Sequence, residues 1–209
     1  MAHRLVIATH NKGKAKEIES LLGNMSWTIV SLDQFGNVGE ATEDANTYQG
    51  NAKAKATYYS KATGEWVLAD DSGLEVAALG GAPGVFSARY AGPNASDAQR
   101  RSKLLSELTG VKGADRAARF VCSAALADPR GKIVKITEGI CEGVICESAR
   151  GDSGFGYDPV FVPTGYDLSF GELSAEIKNR ISHRAKAILA MRSFLQQEKD
   201  LLDRFNLEP

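Results

Sequence analysis

Two adjacent carboxylates, Asp70 and Asp71, directly follow a short apolar run at residues 66–69. The run predicts a buried strand, and Ser72 and Gly73 predict that the strand ends in a turn at the carboxylates. Paired carboxylates repel each other unless a divalent cation binds them or one of them takes up a proton. Ligands in open α/β sheets bind beyond the carboxyl ends of strands, so the position suits a catalytic or metal-binding site. A turn without a chemical role is the alternative, and the pair alone favours neither interpretation.

A polar segment at residues 9–14 (THNKGK) follows the apolar run at residues 5–8 and leads into a predicted helix. The start of a helix offers unpaired N–H groups and the positive end of the helix dipole, and Lys12 and Lys14 add charge. The segment therefore predicts an anion-binding loop. An ordinary strand-to-helix connection with solvated lysines is the alternative.

Glycines alternate with aromatic and acidic residues at 151–159 (GDSGFGYDP). Aromatic faces flanked by glycine suit stacking on a planar base, which contributes roughly 1–3 kcal/mol per base. The alternative is a tight turn whose aromatic residues, Phe155 and Tyr157, belong to the core.

Three cations, Lys178, His183 and Arg184, gather where two C-terminal helices are predicted to meet. His183 and Arg184 lie in the first turn of the second helix, after the predicted N-cap Ser182. Positive charge is unfavourable at that end of a helix dipole. An anion or an electron-rich base edge bound at this point would explain it.

Hydrophobic periodicity and turn residues predict the elements that position these groups. The predicted strands cover residues 5–8, 27–32, 66–69 and 119–127, and residues 132–146 predict a long strand or a bent pair of strands. The segments 119–127 and 132–146 together predict an antiparallel hairpin. The predicted helices begin near Lys14, Thr47, the capping box at Ser96, Leu173 and Ser182. In the last helix the predicted buried positions are Ile188, Leu189, Leu195 and Leu201.

The bulk composition limits the functional classes. The 209 residues suffice for one domain, or one domain with two lobes, and carry a formal net charge of −1. Long nucleic acids are not expected as partners, because their binding needs a basic face. No apolar run approaches the ~20 residues of a membrane span, and the N-terminus leads straight into a strand, so neither a membrane anchor nor a signal peptide is expected. Cys122, Cys141 and Cys146 form no CxxC pair, which favours free thiols in a reducing cytoplasm over disulfides or a zinc site.

Six motifs occur in an order that closely resembles the inosine/xanthosine triphosphate pyrophosphatase family, which acts on noncanonical purine nucleotides. They lie at residues 9–14, 69–74, 80–84, 87–90, 155–159 and 182–184. The resemblance covers nearly the whole chain and implies one α/β domain over residues 1–209. The implied fold is an elongated mixed β-sheet with flanking helices and two lobes around a central cleft. It also implies hydrolysis of ITP, dITP and XTP to monophosphate and pyrophosphate, Mg²⁺ as cofactor, a cytoplasmic location and a homodimer.

The resemblance assigns roles position by position. Asp71 would be the general base and a metal ligand, and Glu43 would be the second acidic metal ligand. The triphosphate would be held by Thr9, His10, Asn11, Lys12, Gly13 and Lys14, with a further contact from Ser72. The base pocket would be formed by Phe155, Gly156, Tyr157 and Asp158. Further contacts to the base and phosphates would come from Lys178, His183 and Arg184. Either Phe155 or Tyr157 would stack on the base. Lys55 matches a family lysine that faces the phosphates.

The chain departs from the family pattern at Gly50, where many members carry Glu. The missing carboxylate leaves metal coordination more dependent on Glu43, Asp71 and the phosphates. No Ser-His-Asp set or cysteine nucleophile is apparent, which favours direct attack by water.

Two other functions fit part of the pattern. The septum-formation nucleotide pyrophosphatases cleave other nucleotides on a similar scaffold, but the motifs at 155–158 and 182–184 disfavour them. A nucleotide sensor without turnover is disfavoured by the presence of Asp71 and Lys14.

We predict that Lys14→Ala impairs triphosphate hydrolysis substantially, because it removes a point charge from a helix start that faces anions. Steady-state kinetics with a triphosphate substrate measures the effect. Unchanged kinetic constants would favour the interpretation of residues 9–14 as an ordinary connection.

Overall fold

Six strands form one mixed sheet in the computed structural model, which describes residues 3–36 and 38–197. The strands are β1 (Arg4–Ile7), β2 (Thr28–Ser31), β3 (Trp66–Val76), β4 (Ala117–Ala127), β5 (Ile133–Ile145) and β6 (Phe161–Pro163). Their order across the sheet is β2-β1-β3-β4-β5-β6. Strand β1 is parallel to β2 and β3, whereas β6 is antiparallel to β5.

Five α-helices accompany the sheet within the same described ranges. They are α1 (Lys12–Leu22), α2 (Tyr48–Thr63), α3 (Asp97–Glu107), α4 (Ala175–Ile181) and α5 (His183–Gln197). Each begins within two residues of its predicted start, and the capping box at Ser96 is present. The predicted α/β class with a mixed sheet and flanking helices is confirmed. None of the described helices is both long and apolar enough to cross a membrane.

The largest disagreement with the sequence prediction concerns β3. The predicted strand end at residue 69 and the predicted turn after it are wrong, because β3 continues to Val76. Asp and Gly are unfavourable in strands by propensity, but tertiary contacts override a propensity of this size. β3 lies between β1 and β4 in the interior of the sheet, and both of its aspartates face a lysine.

The chain divides into two compact units, each with its own apolar core. The first comprises the described parts of residues 1–71, 123–138 and 185–209, and the second comprises residues 72–122 and 139–184. The divisions fall inside β3, β4, β5 and α5, so each of these elements contributes residues to both units. The expectation of one domain over residues 1–209 stays a prediction.

Helix α2 packs closely on the core of the first unit. Thr47 caps its start by accepting the N–H of Gly50, and Gly64 ends it in a left-handed conformation. Ala52 and Ala56 have no exposed surface and pack with apolar residues of β1, β2 and β3. These small side chains place the helix, with its polar residues, close to the sheet.

The predicted pattern of burial in α5 is partly confirmed. Ile188 and Leu195 are buried, as predicted. The prediction for Leu189 is wrong, since 38% of this residue is exposed. Leu201 lies outside the described residues. The three cysteines are free thiols, as predicted.

A buried arginine holds the end of α3 in the second unit. Arg116 is 6% exposed and donates to the carbonyls of Ile145 and Cys146 at 2.7 and 2.9 Å. It also donates to the carbonyls of Leu108 and Val111 at 3.0 and 3.1 Å. A guanidinium thus satisfies carbonyls after α3 and at the end of β5, where the negative end of the helix dipole also favours a cation.

We predict that Arg116→Met lowers the free energy of unfolding by about 2–4 kcal/mol, because it removes the hydrogen bonds from a charged donor to the carbonyls of Leu108, Val111, Ile145 and Cys146, which are buried or part-buried. Denaturant titration measures the change. Arg119→Met is the matched control, since the Arg119–Glu75 ion pair is partly exposed and such pairs contribute about 0–1 kcal/mol. Equal stability of the two variants would contradict a structural role for Arg116.

Candidate active site

Strand β3 presents its two adjacent carboxylates to different partners. Successive side chains of a strand point to opposite faces, so Asp70 and Asp71 do not share one environment. Lys14 Nζ lies 3.3 Å from Asp70 Oδ2, and the Asp70 side chain has no exposed surface. The lysine of the predicted anion-binding loop therefore offsets the burial of this carboxylate.

Asn11 determines the shape of the loop before α1. Its Oδ1 accepts the N–H groups of Gly13 and Lys14 at 2.9 and 3.1 Å, which makes it the N-cap of the helix. The hydroxyl of Thr9 accepts the N–H of Asn11 at 3.1 Å. Two of the N–H groups at the helix start are thus paired within the loop, which leaves the charges of Lys12 and Lys14 as its other attraction for anions.

The exposed residues of this loop are His10, Asn11 and Lys12. His10 Nε2 lies 3.4 Å from the hydroxyl oxygen of Tyr59 on α2, and that oxygen accepts the N–H of Ala41. The His10 ring is therefore tied to α2.

Two residues of α2, one helical turn apart, contact Asp71. Asn51 Nδ2 donates to Asp71 Oδ2 at 3.0 Å, and Asn51 Oδ1 accepts the N–H of Ala45 at the same distance. Lys55 Nζ lies 3.7 Å from Asp71 Oδ1 and donates to Glu43 Oε2 at 2.9 Å. The predicted base and the predicted second acidic residue therefore share one lysine.

Burial and charge act in opposite directions on this group. Burial raises the pKa of Asp71, and the nearby Lys55 and Lys14 only partly offset this rise. Burial alone would lower the pKa of Lys55, but attraction to Asp71, Asp70 and Glu43 prevails, and this pKa is raised. Asp71 is thus a stronger base than an exposed carboxylate, next to a lysine that stays charged.

The donor set of this group fits Mg²⁺. Mg²⁺ in phosphate-binding sites takes one or two protein carboxylates and completes its coordination with phosphates and water. Asp71 and Glu43 supply two carboxylates. Within the described residues there is no group of three or more His, Cys, Asp or Glu that could hold a metal ion, so the phosphates and water would have to complete the coordination.

Gly50 is closely packed at the start of α2. A Cβ at this position would lie 2.7 Å from Ala45 Cβ and 2.9 Å from Thr47 Oγ1. A carboxylate here, as in many members of the family that the sequence resembles, would require residues 45–47 to move.

A second group of predicted site residues surrounds Phe155 in the second unit. Asp158 Oδ2 accepts the N–H of Phe155 at 2.8 Å and lies 2.5 Å from Lys178 Nζ. The Lys178 ammonium and the Arg184 guanidinium lie 4.7 and 5.6 Å from the Phe155 ring centroid. The Phe155 ring is thus an electron-rich face held beside two cations.

Tyr157 has a different environment from Phe155. Its ring is 5% exposed within the core of the second unit, and its hydroxyl donates to the carbonyl of Ser87 at 2.9 Å. Phe155 is only half-buried. Of the two aromatic residues predicted as alternatives for stacking, Phe155 is therefore the one whose ring the core does not enclose.

The two predicted site residues at the start of α5, His183 and Arg184, are both buried. Arg184 is 2% exposed and donates to Ser72 Oγ at 2.8 Å, and Ser72 follows Asp71 directly in β3. The His183 ring stacks on Phe120, with ring centroids 4.6 Å apart and planes 10° from parallel. The unfavourable charge at this helix start is therefore stabilised by specific contacts inside the unit.

Asn51 is the contact that sequence reasoning missed. The only available signal was its spacing of four residues from Lys55, which places both side chains on one face of a helix. That spacing does not indicate which carboxylate the face contacts.

Comparisons with known proteins identify the family of this chain. A family model of the Ham1 family matches residues 5–194. A dITP/XTP pyrophosphatase of Desulforamulus reducens is 51% identical over 185 residues, which cover 88% of this chain and 92% of that protein. The dITP/XTP pyrophosphatase of Bacillus subtilis is 44% identical over 191 residues, which cover 91% and 96%. The solved structure of a HAM1 protein from Coxiella burnetii matches with a TM-score of 0.84 at 39% identity, covering 93% of this chain and 99% of that one. The chain therefore belongs to the Ham1 family.

Proposed function

We propose that the protein hydrolyses the noncanonical purine nucleoside triphosphates ITP, dITP and XTP to their monophosphates and pyrophosphate, and so cleanses the nucleotide pool. The relatives named dITP/XTP pyrophosphatase are 44–51% identical over most of both chains. The observation that carries the reaction type is Asp71, a buried carboxylate with raised pKa beside Lys55, Asn51 and Glu43. Such a group suits activation of water at a phosphate.

In the proposed reaction, water attacks the α-phosphorus, and the bond from this phosphorus to the oxygen bridging the α and β phosphates breaks. Asp71 accepts a proton from the attacking water. The amide of Asn51 holds Asp71 Oδ2 and leaves Oδ1 to face the lysine side. Lys12 and Lys14 offset the charge that develops on the leaving pyrophosphate.

Asp71 and Glu43 would hold Mg²⁺. When bound, the metal would neutralise phosphate charge as a Lewis acid. Lys55 donates to Glu43 Oε2 and lies 3.7 Å from Asp71 Oδ1, and its charge partly offsets the rise that burial causes in the pKa of Asp71.

Phe155 would stack on the purine, and the nearby cations would select its edge. The keto oxygen at purine position 6 accepts hydrogen bonds, whereas adenine carries an amino donor there. Lys178 and Arg184 are donors only, so an adenine edge would leave polar groups unpaired.

The proposal includes the oligomeric state and the location in the cell. The resemblance to the pyrophosphatase family supports a homodimer and a cytoplasmic location. The free thiols of Cys122, Cys141 and Cys146 are consistent with a reducing compartment.

We predict that Asp71→Asn abolishes turnover while the protein stays folded and binds nucleotide, because Asn keeps the shape of the side chain but neither its charge nor its basicity. Pyrophosphate release, equilibrium dialysis with ITP and thermal unfolding measure the three properties. Asp115→Asn, at an exposed position, is the control for the loss of one carboxylate. Activity within about tenfold of wild type, a loss of only ~1.4 kcal/mol, would exclude Asp71 as the base and make Asp70 the next candidate.

We also predict that kcat/KM is far higher for ITP and XTP than for ATP, by at least about tenfold, since each unpaired polar group costs ~1–3 kcal/mol. GTP should also be a poor substrate, but guanine shares the keto oxygen, so its rejection would come from its 2-amino group, through steric exclusion or lack of a partner. Arg184→Ala should reduce the preference for ITP, and Arg180→Ala, at an exposed position on α4, should not. A nucleotide panel with Mg²⁺ and identification of both products provides the test. Equal hydrolysis of ATP and ITP would contradict the proposed substrate class, and full ITP preference in Arg184→Ala would move base recognition to residues 155–158.

A further inference from the structure

Helix α3 bonds both backbone polar groups of one residue, Gly156, in the loop that carries Phe155. Asp97 Oδ2 accepts the N–H of Gly156 at 2.7 Å, and Arg101 Nη1 donates to the carbonyl of Gly156 at 2.8 Å. Asp97 and Arg101 are four residues apart, so they lie on the same face of the helix. Both bonds involve a charged partner, and such bonds are stronger than neutral ones.

The bonded glycine directly follows the candidate stacking residue. Gly156 has φ of +60°, a conformation that favours glycine, and Gly154 on the other side of Phe155 has φ of +75°. A Cβ on Gly154 would lie 2.1 Å from Asp158 Oδ2. Phe155 thus lies between two glycines that adopt positive φ. Side chains of Asp97, Arg101 and Asp158 bond to the backbone of Phe155 and Gly156.

The contacts on the two sides of Phe155 have different origins. Asp158 accepts the N–H of Phe155 from within the loop, whereas Asp97 and Arg101 reach Gly156 from α3. Asp158 in turn depends on Lys178, which is part of the proposed base site. The α3 contacts are therefore the ones that act on the Phe155 backbone without belonging to that site.

Asp97 is itself held in the charged form. Burial alone would raise the pKa of Asp97, but the N–H of Gly156 and the charges of Arg100 and Arg101 prevail and lower it. Arg100 contacts Asp97 Oδ1 and also donates to the carbonyl of Ala88 at 2.9 Å. The acceptor for the Gly156 N–H is thus fixed by a second arginine.

We infer that Asp97 and Arg101 are positioning residues for base recognition: they orient the Phe155 ring by fixing the N–H and the carbonyl of Gly156, the next residue in the chain. The inference rests on the proposed function of Phe155 as the stacking residue. Displacement of a binding group by about 1 Å can reduce catalytic efficiency by on the order of 100-fold. Because neither residue contacts Asp71, Lys55 or Glu43 among the described contacts, the effect falls on binding of the base rather than on the chemical step.

The test uses Asp97→Ala and Arg101→Met in the full-length protein, with Lys103→Met as the matched control on the same helix. Lys103 contacts Tyr90 and Glu107. We expect KM for ITP to rise about tenfold in both variants, with kcat within about threefold and thermal stability of Arg101→Met close to that of the control. In a Phe155→Ala background, Arg101→Met should change KM less than about twofold, because residues that act through a shared partner are not additive.

Hydrogen exchange in the nucleotide-free protein provides an independent readout. The amides of residues 151–159 should exchange faster in Asp97→Ala and Arg101→Met than in wild type and in Lys103→Met. Unchanged exchange in this loop, unchanged KM, or a full effect of Arg101→Met in the Phe155→Ala background would each overturn the inference. If wild type does not hydrolyse ITP, the proposed function fails, and the exchange data still decide whether α3 anchors the loop.

Discussion

Charges buried within a sheet must be matched by groups that reach them from outside it, and this requirement organises the residues around β3. Three consecutive residues of the strand bond to three different helices: Asp70 to Lys14 of α1, Asp71 to Asn51 and Lys55 of α2, and Ser72 to Arg184 of α5. Removing one partner would leave an uncompensated charge, which is more costly than the pair is stabilising. The positions of the helix starts are therefore coupled to the chemistry of the strand.

The two units stabilise their buried charges in different ways. In the first, Lys55 and Glu43 bring charge to a carboxylate whose pKa burial has raised. In the second, an aromatic ring takes part: the Lys178 ammonium pairs with Asp158 and also lies over Phe155. The first group suits phosphate and metal, which carry full charges. The second suits a planar, neutral base, which is recognised by stacking and by hydrogen bonds at its edge.

Helix starts were predictable from sequence because their signals are local. Thr47, Ser96 and Asn11 each accept N–H groups within three residues, and such contacts depend little on the rest of the fold. The course of β3 was not predictable in this way, because its aspartates are stabilised by lysines more than ten residues away. The distinction between Phe155 and Tyr157 was also beyond sequence, since both are aromatic residues next to Gly156. What separates them is the burial of Tyr157 in the core and its bond to the carbonyl of Ser87. Asn51 was missed for a similar reason: an asparagine inside a helical run carries no sign of the carboxylate it will meet.

The continuity of β3 makes the chain less tolerant of insertions than of substitutions. Side chains alternate between the two faces of a strand, so one added or deleted residue between Asp70 and Ser72 reverses every position on one side of the change. The carboxylate that now pairs with a lysine would then lie on the opposite face of the sheet, out of reach of that lysine. Over evolutionary time, changes of length should therefore accumulate in loops such as 128–132, while within β3 they are excluded even where single replacements are accepted.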